Sequence, residues 1–300
     1  MARLRQAVHG LLKRVLPDGP RRRLSTWLRA RGFQPDAHYR IRLEYPTSAS
    51  NSPRWDPHPE LERIIASGHE TYEEALATIA AYGDSFAAIP MGAEDSREPS
   101  WENEWLPPLD GAALYAFLRS RSPGLYMEVG SGNSTKFAAR ARRDGALETR
   151  IVSIDPHPRA EVDALCDRVL REPLEAADSS VFADLADGDV LFVDGSHRTF
   201  MNSDATVFFL EVLPRLVPGV LVGVHDVFLP YDYPQEIADR YYSEQYLLAA
   251  HLMASNPALE PVLPAYYAGR RLDLRPVGEA LGPGLEPHGN AFWLRTRARA

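Results

Sequence analysis

Two histidines and two aspartates stand at the ends of two short apolar runs in this chain, and their side-chain types suit proton transfer from a hydroxyl or the holding of a cation. Asp194 and His197 follow the run Asp189 to Val193, and His225 and Asp226 close the run that begins at Gly219. An imidazole titrates near neutrality, so His197 or His225 can act as a general base, with Asp226 beside them. Alternatively Asp194, His225 and Asp226 can share a divalent ion that lowers the pKa of a bound hydroxyl. That set mixes oxygen with nitrogen, whereas Mg²⁺ prefers oxygen alone. A plainer role is open to each residue: Asp194 as a loop cap, His197 as a surface-turn side chain, His225-Asp226 as a strand terminus.

A second constellation lies upstream. Leu125 to Val129 reads as a buried strand, and Gly130-Ser131-Gly132-Asn133-Ser134-Thr135 as a glycine turn entering a helix. The glycines let the backbone turn sharply and approach a ligand, and Ser134-Thr135 can cap the helix. This geometry binds nucleotide-like cofactors. Ile151 to Ile154 is the next strand, and Asp155 at its end is placed to accept from ribose hydroxyls. In an open parallel sheet all of these strand ends converge on one crevice.

Glu128-Val-Gly130-Ser-Gly132-Asn-Ser134, Asp155, Val193-Asp194-Gly195-Ser196-His197 and Pro218-Gly219-Val220 leading to His225-Asp226 together resemble class I S-adenosylmethionine-dependent methyltransferases. The resemblance spans about residues 105 to 297. The Asp-Gly-Ser-His stretch and the His-Asp strand end are most similar to a small-molecule O-methyltransferase branch, some of whose members bind a divalent metal such as Mg²⁺. It implies S-adenosylmethionine as cofactor, held by Glu128, Gly130, Ser131, Gly132, Asp155 and Asp194, with Leu174 on the adenine side. It also implies an acceptor hydroxyl on a small molecule or glycan-like compound. Ser134 stands where the family often has a third glycine. A nicotinamide dinucleotide site is the rival, making the chain an NAD-dependent oxidoreductase. Its motif wants glycine where Thr135 stands, and Glu128 would repel a pyrophosphate. A non-catalytic cofactor-binding module is the other alternative.

Composition bounds these readings. The 300 residues are 45% hydrophobic, enough for one large α/β domain and an added element. A net charge of −8 disfavours nucleic acid as a partner. The single cysteine, Cys166, allows no internal disulfide, and no apolar run is long enough to span a bilayer, so the expected location is cytoplasmic. Residues 1–31 are strongly basic, and Leu4 to Leu16 carry an apolar stripe at helical spacing. Such a helix suits a peripheral membrane contact, packing on the protein, or an oligomer contact.

The elements divide the chain into a helical and irregular extension over 1–105 and a catalytic domain over 106–300. The extension holds the amphipathic helix, a loop over 34–59, helices over 59–67 and 71–82, and an irregular stretch containing Trp101 and Trp105. Tryptophans there are expected to pack on the domain edge or face a substrate. A helix capped by Asp110 leads into the glycine turn. Strands at 125–130, 150–155, 168–173, 189–194 and 219–225 alternate with helices at 134–143, 160–168, 203–213 and 234–254, which implies a parallel sheet. Leu259 to Tyr267 and Asn290 to Thr296 then form two closing strands. The fold class is thus α/β, a Rossmann-like doubly wound, mostly parallel sheet with an antiparallel C-terminal hairpin and an N-terminal helical extension. The loop Val227 to Pro234 reads as an acceptor-side wall.

Overall fold

The computed structural model describes residues 52–92, 97–158, 161–254 and 258–298. The expected basic helix and most of the loop after it lie outside these. The first helices, α1 (Pro59–Ala66), α2 (His69–Ala80) and α3 (Gly83–Ala87), precede α4 (Pro108–Arg121). Strand β1 (Leu125–Val129), helix α5 (Asn133–Gly145) and strands β2 (Arg150–Ile154), β3 (Arg168–Leu170) and β4 (Val190–Val193) follow. The chain continues through α6 (Asp204–Val207), β5 (Leu221–Val224), α7 (Gln235–Ala238) and α8 (Gln245–Met253). It closes with β6 (Leu259–Pro264), α9 (Ala265–Arg271), α10 (Arg275–Leu281) and β7 (Phe292–Thr296).

The seven strands form one sheet in the order β3-β2-β1-β4-β5-β7-β6. The first five pair in parallel, while β7 runs antiparallel to both β5 and β6. Every residue of β1, β4 and β5 is buried, as expected of parallel strands covered on both faces. The expected doubly wound sheet with an antiparallel finish is therefore present. Strand order reverses between β1 and β4, which is where an open α/β sheet leaves a crevice.

One core runs through the described residues. It joins Leu61, Ile65, Tyr72 and Ile79 of α1 and α2 to the apolar face of α4 and to the sheet. Trp101 is inside this core, edge-on to Phe86 at 5.7 Å with its Nε1 donating to Phe86 O, whereas Trp105 is half exposed. No helix among the described residues is long and apolar enough to cross a membrane.

Three expected elements differ. In place of a helix over 160–168 there is a single tight turn, Asp163–Leu165. Asp167 is tied instead to the edge of β2: its N–H donates to Ile151 O at 2.8 Å, and its carboxylate accepts from Ile151 N at 2.7 Å. The expected helix over 234–254 breaks into α7 and α8, with Tyr241 at φ 60° in the gap. The segment expected as strand through Tyr267 leaves the sheet at Pro264 and becomes α9.

Candidate active site

The sheet register sets the site. Val129, Ile154, Val193 and Val224 are partners across β1, β2, β4 and β5. The residue after each is Gly130, Asp155, Asp194 and His225, so these four form one row along the C-terminal edge. The ladder carries on through them: Gly130 N donates to Ile154 O at 2.9 Å, Asp194 N to Val129 O at 2.8 Å, and His225 N to Val193 O at 2.9 Å. Sequence reading and structure agree on this convergence.

At the turn, Gly130 has φ +80°, and a Cβ there would collide with the carbonyl of Asp194. Glycine is required at this position by both conformation and space. Gly132 faces open space, with nothing near where a Cβ would project. Glu128 lies inside the turn without exposed surface. Its carboxylate accepts from Tyr126 Oη and Ser134 Oγ, each at 2.9 Å, and from Thr135 Oγ1. Thr135 Oγ1 in turn accepts from Gly132 N at 3.0 Å. Thr135 thus caps α5 from its N3 position through Gly132 N while also serving Glu128, whereas Ser134 serves Glu128 alone instead of capping the helix. Burial pushes the Glu128 carboxyl up to about 7 against the pull of these three hydroxyls.

Ser131 donates twice to Asp155 Oδ2, from N at 2.7 Å and from Oγ at 3.0 Å, and His157 N donates to Oδ1 at 2.7 Å. A carboxylate offers about four acceptor positions. Asp155 is thereby held by backbone donors at the mouth of the crevice with capacity left for a ligand hydroxyl. Leu174 packs into the core, nearly buried.

The histidines and aspartates meet in one group, the two rings buried and the two aspartates partly exposed. His197 Nε2 lies 3.1 Å from Asp194 Oδ1 and 3.7 Å from Asp226 Oδ2, and its Nδ1–H donates to Glu244 Oε1 at 2.6 Å. His225 Nδ1 lies 3.5 Å from Asp194 and 3.6 Å from Asp226, and its Nε2 lies 3.4 Å from Asp110 Oδ2. Neither ring nitrogen of His225 makes a hydrogen bond among the described residues. Burial disfavours the charged form of both rings, yet the surrounding carboxylates outweigh it and raise both well above the ordinary histidine value. Burial likewise opposes charge on Asp194, but His225 and His197 hold it far below the usual carboxylate range. His197 at φ 61° and Asp226 at φ 54° both adopt left-handed backbone, a strain that persists where the surroundings fix it.

The expected metal ligands Asp194, His225 and Asp226 come together but do not fit a metal. His197 Nε2 sits between the two aspartates, where a shared cation would lie. Among the described residues no group of histidine, cysteine, aspartate and glutamate side chains is arranged to hold a metal ion.

Two members of the group were not legible as site residues. Asp110 is not the expected cap. It lies in the first turn of α4, wholly buried, and accepts from Asn290 N at 2.7 Å and Ala291 N at 3.0 Å as well as facing His225. A lone acid inside the apolar run Leu109 to Leu118 was the available signal, since buried carboxylates need partners. Glu244 reaches His197 only because the expected long helix is broken, and Ser243 just before it is a helix-start residue.

Residues 127–227 match the family model described as a methyltransferase domain. The match runs from β1 to just beyond Asp226 and so contains the glycine turn, Asp155, Asp194, His197 and His225. The matched stretch agrees with the resemblance to class I methyltransferases and with the expectation of an enzyme. No curated protein matches the chain. Among solved structures it is similar to the O-methyltransferase from Bacillus cereus in complex with S-adenosylhomocysteine, at 17% identity over 76% of this chain and 91% of that one, TM-score 0.40. It is also similar to the S-adenosylhomocysteine-bound methyltransferase PaMTH1 of Podospora anserina, at 15% identity over 82% and 99%, TM-score 0.40. A third is the O-methyltransferase TomG from Streptomyces achromogenes, involved in tomaymycin synthesis, in complex with S-adenosylmethionine, at 15% identity over 82% and 100%, TM-score 0.36.

Proposed function

We propose that this protein is an S-adenosylmethionine-dependent methyltransferase that methylates a hydroxyl of a small-molecule or glycan-like acceptor. The observation that carries this reading is the row of Gly130, Asp155, Asp194 and His225 along one strand edge, next to an open-faced Gly132. The cofactor residues are those of the turn and the neighbouring strand ends: Gly130, Ser131 and Gly132 by close backbone approach, Asp155 through ribose hydroxyls, Asp194 beside them. Glu128 shapes the turn from beneath, and Leu174 backs the adenine side. Thr135, where a nicotinamide dinucleotide turn would need glycine, is committed to Glu128 and Gly132, which disfavours an oxidoreductase. When bound, S-adenosylmethionine supplies a methyl group on a sulfonium.

The chain's own residues must then orient the acceptor oxygen and take its proton. Asp194 and Asp226 keep exposed surface, while His197 and His225 lie behind them. Asp226, beside both rings and partly exposed, is assigned as the base: one of its carboxylate oxygens receives the hydroxyl proton. The rings of His197 and His225, packed behind them, hold Asp194 and Asp226 in place beside that oxygen. Methyl transfer from labelled S-adenosylmethionine to a panel of hydroxylated acceptors tests this. Activity that survives excess EDTA and falls at least about 100-fold in Asp226→Asn is expected, and an Asp226→Asn enzyme with undiminished activity would overturn the role.

A further inference from the structure

Beside the histidine–carboxylate group, two loops are joined into a lip. Ser243 N donates to His197 O at 2.8 Å, Thr199 N to Ser243 Oγ at 2.9 Å, and Arg198 Nε to Arg240 O at 3.0 Å. The inner side of this lip is Tyr242, whose ring lies 4.4 Å from that of His197 at an interplanar angle of 31°. Arg198 and Arg240 stand over the same tyrosine, 5.3 and 6.0 Å from its centre.

Arg198 is held in place. Its Nη1 donates to Ser196 O at 3.1 Å and its Nε to Arg240 O, while its Nη2 makes no hydrogen bond among the described residues. Neither guanidinium has a carboxylate partner there. Two like charges kept on one ring repel each other, and a bound anion relieves that repulsion. The same two loops expose Phe200, Met201 and Tyr241, at 45%, 98% and 68%. Tyr241 and Asn202, at φ 60° and 53°, add left-handed backbone to that of His197, so the lip concentrates strain as functional loops do.

We propose that this lip selects the acceptor: a hydroxylated compound with an apolar or aromatic body and a carboxylate that docks on Arg198 and Arg240. A planar carboxylate suits the guanidinium fork. A dianionic phosphate would meet stronger repulsion from the nearby Asp194 and Asp226. The inference rests on the methyltransferase reading above, because it names that site's acceptor class.

The test titrates the full-length protein, saturated with S-adenosylhomocysteine, with 3-fluoro-4-hydroxybenzoate and with the matching amide, following binding by fluorine NMR. The carboxylate should bind about 10-fold tighter than the amide. Arg198→Gln should bring it to the amide's level, Arg240→Gln should weaken it less, and Arg198→Lys should restore part of the preference. Affinity for S-adenosylhomocysteine should not change in these variants, which also reports an intact fold. Equal binding of the two compounds by the unaltered protein, or a preference that survives loss of both arginines, would overturn the proposal. Failure to bind S-adenosylhomocysteine at all would instead strike the underlying reading.

Discussion

Single side chains here carry more than one task, and Glu128 is the clearest case. It sits in the first glycine turn with no solvent contact, and its burial costs more in the ionised form than the three hydroxyl donors return. A carboxyl raised from 4.5 to about 7 binds protons in the folded state that the unfolded chain has released. Stability therefore falls as pH rises across that window, by about 3 kcal/mol for this group alone. Glu128→Gln removes the titration, so its chemical-denaturation midpoints should decline less between pH 4.5 and 6.5 than those of the unaltered protein. An unchanged slope would show that Glu128 is not buried as described. Glu244 is raised by burial as well, but it differs in its partner, because its loss leaves the buried ring of His197 without its nearest carboxyl. Glu244→Leu should cost about 3 kcal/mol or more, measured by urea unfolding, because His197 is left buried without its closest counter-charge.

At the level of elements, legibility followed the physics of each segment. Strands β1, β2, β4 and β5 were readable because parallel strands buried on both faces are short unbroken apolar runs, and Gly130, Asp155, Asp194 and His225 were readable because they end those runs. The turn makes its own prediction: Gly130→Ala forces a side chain into positive φ and into the Asp194 carbonyl. A loss of at least about 2 kcal/mol in stability is expected together with lost cofactor binding, both read from thermal shifts with and without S-adenosylhomocysteine. What stayed hidden depends on distant partners. The α7–α8 break is fixed by Ser243 N and Glu244 N, which both donate to His197 O, some forty-odd positions earlier. The absent helix before β3 is likewise decided by Asp167 pairing with Ile151, and Asp110 by Asn290 and Ala291. Helical periodicity cannot register such contacts, so the sequence placed the ends of the strands well and the groups behind them poorly.

Across the whole molecule, the described core extends from Leu61 to Leu294 and joins the early helices to the sheet. A chain that starts at residue 52 should accordingly unfold cooperatively and keep its cofactor affinity, and a truncated form that is aggregated or non-cooperative would contradict this. A hollow of about 300 Å³, lined by Leu213, Pro218, His251 and Thr296, lies beside the start of β5, at the opposite edge from the site row. That hollow holds none of the strand-end residues of that row, and the candidate site follows instead from the register of the strand ends. The most direct test is calorimetric titration of the full-length protein with S-adenosylhomocysteine and with NAD, repeated on Asp155→Ala. Saturable one-to-one binding of S-adenosylhomocysteine, weakened at least about 10-fold by the substitution, with no binding of NAD, is the expected result. Binding of NAD in its place, or S-adenosylhomocysteine affinity indifferent to Asp155, would contradict the account.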